Sequence, residues 1–313
     1  MHNSTQFSSV ILNAYTDVGN LKYLYFIILL VWYVCIIVAN VLLISVVYMD
    51  RTLHEPMYLF LCSLCVNELY GSLGLFPCLL VNMLSDSHEL HLTYCYLQVY
   101  CLYTYGTVEF CTLALMSYDR YVSICHPLQY NSIMTPTKVT SLIVAPWLFS
   151  FVQFAVNVSL SVRLKLCGNI MEKVCCDNFM LIRLACSDTT IVNIYGLSLT
   201  IVVIFGPLAL ILYSYGRIFK VTLSKGPNKK SLNTCVPHIV SLLNYSIAVS
   251  FEMFQSRVPS KLNVPPILRI ILSVYFVIIT PLLNPIMFGL KLTKIRDAHK
   301  KLFHHVIVLK FRT

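Results

Sequence analysis

Four ionisable side chains stand where the surrounding chain is almost wholly apolar. Glu68 and Glu109 fall in the middle of long hydrophobic runs, and Asp119 and Arg120, followed by Tyr121, close one of them. Acids at the depth of a membrane usually mark a cation or proton site, and two neutral, hydrogen-bonded carboxyls in a packed interior are the alternative. Glu109 and Arg120 are eleven residues apart, close to three turns at about 3.6 residues per turn. Leu102, Gly106, Glu109, Leu113, Met116 and Arg120 therefore share one stripe of a helix. If that stripe faces a bundle axis, Glu109 meets Glu68. Asp119 can pair with Arg120 at rest. Arginine is not deprotonated in practice, so a released guanidinium is free to bond the carbonyls of an inserted partner helix. A snorkelling interfacial arginine is the plainer reading.

Thirteen cysteines add a second kind of chemistry. On the topology argued below, Cys95, Cys167, Cys175, Cys176 and Cys186 lie at the outer face, where disulfides persist. They allow two bridges with one thiol left over. The others read mostly as small buried apolar groups. Zinc is a poor alternative, since no histidine stands nearby at ligand spacing. No nucleophile–base constellation, phosphate loop or metal motif occurs, so nothing points to an enzyme.

The elements that hold these residues are long apolar runs. The chain has 313 residues, 58% of them hydrophobic and 12% charged, against about 25% charged in a soluble domain. A helix crosses a bilayer with about 20 apolar residues. Seven spans are expected: Leu24–Tyr48, Met57–Leu84, Leu92–Cys125, Val139–Leu160, Ile191–Phe219, Leu232–Phe251 and Ile270–Leu290. The fold class is thus an all-α membrane protein, a seven-helix transmembrane bundle. Its parts are an outer tail (residues 1–23), the bundle (24–290) and an inner tail (291–313).

The net charge of +10 orients the bundle. With the N-terminus outside, Arg51, Arg120, Lys138, Arg217, Lys220 and the basic tail all fall inside, where the excess of lysine and arginine belongs. The inverted topology fails that rule. A nucleic-acid partner is not expected, because no soluble basic domain carries the charge. The partners implied so far are membrane lipids. No signal peptide is evident, and the first span can serve as its own insertion signal. Asn3-Ser4-Thr5 is a glycosylation sequon in the outer tail. In the inner tail, Leu292, Ile295, Leu302, Phe303 and Val306 fall opposite Lys294, Lys300 and Lys301. That pattern suits a short amphipathic cytoplasmic helix on an anionic leaflet.

Several strings carry a family resemblance. Met116-Ser117-Tyr118-Asp119-Arg120-Tyr121 runs into Cys125-His126-Pro127-Leu128-Gln129-Tyr130. Leu53-His54-Glu55-Pro56-Met57-Tyr58 opens the second span, Ser231 to His238 opens the sixth, and Pro281-Leu282-Leu283-Asn284-Pro285 ends the seventh. Leu184-Ala185-Cys186-Ser187-Asp188-Thr189 and Ser214-Tyr215 add to the match. Together these resemble the rhodopsin-like G-protein-coupled receptors and, within them, the odorant receptors, most of all those of fish. The resemblance covers the chain from about Asn40 to Arg296.

The resemblance implies a receptor at the plasma membrane that binds a small odorant and activates a stimulatory, olfactory-type heterotrimeric G protein, raising cyclic AMP. It implies coupling through Asp119, Arg120, Tyr121 and Tyr215. It implies disulfides Cys95–Cys176 and Cys167–Cys186, although spacing alone leaves Cys95–Cys175 open. It implies no cofactor beyond a sodium ion at Glu68 and Glu109. Two positions depart from the family: Glu68 stands for an aspartate and Phe288 for a tyrosine. Pro285 should kink the seventh helix, with Asn284 bonding the freed carbonyls.

Ligand sites in bundles lie between helices in mostly apolar cavities. The candidates are Leu102, Tyr103, Gly106 and Thr107 on the third span, and Leu199, Thr200 and Val203 on the fifth. Val249 and Met253 on the sixth and Val274 on the seventh face them. Glu252 and Arg257, at the mouth, suit a charged ligand. Two rivals stand beside this reading: a receptor of the same family acting outside the nose, and a cation or proton transporter using Glu68 and Glu109.

Overall fold

The computed structural model describes residues 7–15, 19–225, 229–257, 275, 277–298, 300 and 301. Seven helices dominate it: α1 (Lys22–Met49), α2 (Pro56–Leu84), α3 (Leu92–Cys125), α4 (Pro136–Val162), α5 (Thr190–Lys225), α6 (Lys229–Arg257) and α7 (Thr280–Lys291). Four of the described helices (α1, α2, α4 and most of α5) are long and apolar enough to cross a membrane on composition alone. The third, at 34 residues the second longest, carries Glu109, Asp119 and Arg120. It tolerates them because it is the central helix, packed against α2, α4, α5 and α6. By contrast α1 exposes Leu24, Ile27, Val31, Val34, Val38 and Val41, an apolar face suited to lipid.

Local sequence explains the ends. Pro56 and Pro136 each occupy the first helical position, where a missing N–H costs nothing. The Asp50 carboxylate accepts from the Thr52 amide at 3.0 Å and its hydroxyl at 2.7 Å. Those bonds hold its pKa below the ordinary aspartate value. Close packing of α2 on α3 depends on Gly71, where an added Cβ would intrude on the buried Tyr105 ring.

The seventh helix differs from expectation in one respect. A proline at 285 removes the donor for the carbonyl four residues earlier, which is that of Pro281. Asn40 on α1 fills that carbonyl at 2.8 Å. Asn284 does not serve there, because its amide is drawn to Glu68 and Glu109.

A small sheet tops the bundle, an element absent from the all-α expectation. Strand β1 (Ser9–Leu12) lies between β2 (Glu89–His91), antiparallel, and β3 (Ile170–Met171), parallel. Val10 and Leu12 are fully buried, and the Tyr15 hydroxyl reaches the Val174 carbonyl at 2.6 Å. This stretch of the outer tail is therefore packed against the bundle. Two disulfides staple the same layer. Cys95–Cys176 spans 81 residues and Cys167–Cys186 spans 19. A closed loop of about 80 residues stabilises by roughly 4 kcal/mol in the chain-entropy model.

At the inner end, residues 293–298 are helical (α8). Leu292, Ile295 and Ala298 are buried against the bundle rather than turned to lipid. Lys294 pairs with Glu55 at 2.7 Å, and that bond raises its basicity above the ordinary lysine value. Leu302, Phe303 and Val306 lie outside the described residues.

Candidate functional site

The stripe on α3 organises three sites stacked from outside to inside. Leu102, Glu109, Leu113 and Met116 on it are buried, with Gly106 and Arg120 half-buried.

The outermost is a cavity of about 430 Å³. Leu102, Tyr103, Gly106 and Thr107 line it from α3, and Leu199, Thr200, Val203 and Ile204 from α5. Tyr245 and Val249 come from α6, Phe154 and Asn157 from α4, and Leu75 from α2. The segment after the Cys95–Cys176 bridge forms its roof, with Asp177, Asn178 and Phe179. That roof is fixed. Asp177 caps a short helix (Asn178–Arg183) by accepting from the Met180 amide at 2.8 Å. Asn178 donates to Asn157 at 3.0 Å and accepts from the Ser161 hydroxyl at 2.9 Å. The floor closes where the Tyr245 hydroxyl donates to the Gly106 carbonyl at 2.5 Å.

The middle site is a buried polar cluster. Glu68, Glu109, Asn67 and Asn284 are all fully buried. The Asn284 amide donates to Glu68 at 2.6 Å and to Glu109 at 2.9 Å, so the two carboxyls share one nitrogen. Asn67 donates to Glu109 at 3.1 Å and to the Tyr105 carbonyl at 3.0 Å. The Tyr105 hydroxyl donates to Glu68 at 3.0 Å. Two adjoining carboxylates out of water need compensation by a proton or a cation. The Oδ1 atoms of Asn67 and Asn284 are buried without a hydrogen-bond partner. With the two carboxyls they make an all-oxygen donor set, the kind that suits a hard cation.

The innermost site surrounds Arg120. Its guanidinium donates to Asp119 at 2.5 and 3.1 Å. Tyr130, in the loop that follows, donates to the other Asp119 oxygen at 2.6 Å. Burial first, then the Asp119 charge, raises the Tyr130 phenol above its ordinary value. Arg120 is thus tied to its neighbour through Nε and Nη2. The aromatic positions separate. Tyr121 turns away from Arg120, bonding His126 at 3.0 Å and stacking edge-on against Tyr213. Tyr215 bonds His238, whose other ring nitrogen meets the Leu113 carbonyl at 2.9 Å. That chain of contacts ties α5 and α6 to α3.

Comparison with known proteins decides the family. A family model described as olfactory receptor matches residues 29–306. Human olfactory receptor 2K2 is 32% identical over 305 residues, which cover 96% of this chain and 95% of that protein. Mouse olfactory receptor 6E1 is 31% identical over 96% of each. The chain belongs to the olfactory receptor family. Its fold is similar to that of squid rhodopsin, with a TM-score of 0.71 at 17% identity over 91% of this chain and 87% of that one. An olfactory receptor is a multi-pass membrane protein of a receptor class, not an enzyme.

Within this olfactory receptor, eight of the residues named from sequence as ligand contacts line the cavity: Leu102, Tyr103, Gly106, Thr107, Leu199, Thr200, Val203 and Val249. The side chains of Met253, Glu252 and Arg257 lie outside the described residues, as do Val274 and Asn3. Sequence reasoning missed Phe110, Phe154, Asp177, Asn193 and Tyr245, which also line the cavity. Only Asp177 carried a signal, its place directly after Cys176. Tyr130 and His238 were visible as motif letters without a role.

Proposed function

We propose that this chain is an odorant receptor whose ligand occupies the outer cavity. Binding there shifts a two-state bundle toward an open inner face. Arg120 then leaves Asp119 and meets carbonyls of a stimulatory, olfactory-type G protein, which raises cyclic AMP. The plasma membrane is the site of action. The observation that carries this reading is the vertical order: a mostly apolar cavity lies above a tethered Arg120 on one face of α3. Family membership supports a small-molecule ligand and a G-protein partner.

The oxygen cluster between them suits a sodium ion held by Glu68, Glu109, Asn67 and Asn284. The ion supplies the positive charge that two adjoining buried carboxyls require.

The test is cyclic AMP in cells expressing the chain with an olfactory G protein, challenged with waterborne odorants. Arg120→Ala is expected to reach the cell surface and lose the response. A variant that signals normally would overturn the coupling role of Arg120. Silence of the wild-type receptor with all odorants, at confirmed surface density, would overturn the coupling reading.

A further inference from the structure

We propose that the outer cavity recognises a protonated amine, with the Asp177 carboxylate as counter-charge to its ammonium group. The proposal rests on the reading of that cavity as the odorant site, and goes further in naming the ligand class. Asp177 is 7% exposed and lines the cavity at its roof. One oxygen is committed to the Met180 amide. Among the described residues the other meets only the Tyr103 hydroxyl, at 3.4 Å, too long for a strong bond. No ion pair reaches Asp177 among the described residues, and no lysine, arginine or histidine occurs among the described residues lining the cavity. A buried carboxylate with no cation beside it among the described residues is costly, and a ligand can balance that charge.

The surroundings fit the rest of such a ligand. The Tyr103 and Phe154 rings stand 5.6 Å apart beside the acid, and aromatic faces attract an ammonium ion. Deeper down, Phe110, Val203 and Val249 offer room for a hydrocarbon body. A carboxylic acid of the same shape would bring like charge to Asp177. The carboxylate is also held in place beforehand, between the Cys95–Cys176 bridge and the two hydrogen bonds of Asn178 to α4. Preorganisation of that kind lowers the cost of binding.

The experiment compares hexylamine, 1-hexanol and hexanoic acid on the purified full-length receptor, reading the ligand-induced rise in Tm. The amine alone is expected to raise Tm. Asp177→Asn is expected to raise the amine's half-saturating concentration at least tenfold, because asparagine caps the short helix as well as aspartate does but carries no charge. Asp177→Glu keeps the charge and should retain the preference for amine over alcohol. Equal shifts with amine and alcohol, no shift with the amine, or an amine curve unmoved in Asp177→Asn would each overturn the proposal. Cyclic AMP recorded in parallel separates the two claims. An Asp177-dependent Tm shift without signalling upholds the amine site and sinks coupling. Signalling to alcohols or acids alone does the reverse.

Discussion

The polar cluster and the outer cavity sit about one turn apart on the same face of α3, yet their side chains are wired in opposite ways. In the cluster, Asn67, Tyr105 and Asn284 spend their donors on Glu68 and Glu109, so α2, α3 and α7 are tied at one point. In the cavity wall, Thr200 bonds only its own helix, at the Gly196 carbonyl, and many of the other lining residues are apolar. The cluster therefore fixes how helices meet. Between its bonded roof and floor, the cavity wall is a surface whose residues can change without disturbing that arrangement. A receptor that keeps one signalling bundle while meeting different ligands needs this division.

The sharpest way to break the comparison is Glu68→Ala. Truncation removes the acceptor that Glu68 offers to the Tyr105 hydroxyl and to the Asn284 amide, both in the buried interior. Leaving buried donors unsatisfied costs about 1–3 kcal/mol each, a large share of the stability of an ordinary fold. The expected outcome is a steep drop in surface density and in the Tm of purified receptor. A variant with wild-type Tm would show that the cluster does not hold the helices together.

Tyr245→Phe probes the border between the two regions. The ring lines the cavity and packs on Phe110, with centroids 5.5 Å apart, while its hydroxyl bonds the Gly106 carbonyl. Loss of one buried hydrogen bond costs about 1 kcal/mol. A modest fall in Tm together with a shift in odorant potency is expected, since the residue belongs to both regions. A change in only one of the two would assign Tyr245 to a single side and sharpen the boundary.

Sequence made the α3 axis readable because helical period alone fixes which residues share a face. Leu102 to Arg120 came out as one stripe, and the ends of α3 fell at Leu92 and Cys125. What stayed hidden depends on contacts between distant segments. Asn40 fills the carbonyl freed by Pro285 across more than two hundred residues, a contact that no local pattern encodes. Strand β1 forms only because β2 and β3 offer it edges, so residues 9–12 looked like part of a loose tail. The roof acid is a third case. Asp177 enters the cavity because a disulfide, a helix cap and Asn178 fold the loop inward, whereas sequence position favoured Glu252 and Arg257 at the mouth.

The smallest expected effect on stability is also the most useful for the comparison. Thr200→Val exchanges a hydroxyl for a methyl at nearly constant shape. The lost bond is to the threonine's own helix, and such bonds contribute little or slightly destabilise a helix. Stability should stay within about 0.5 kcal/mol of wild type, and surface density should not change. The new methyl nonetheless faces the ligand from α5. Odorant potency, read from dose–response curves, should therefore move while Tm stays still. A cavity residue that alters recognition at no structural cost is what the division between the two regions requires. Unchanged potency would remove Thr200 from the site, and a fallen Tm would mean that the cavity wall is as rigidly specified as the cluster beneath it.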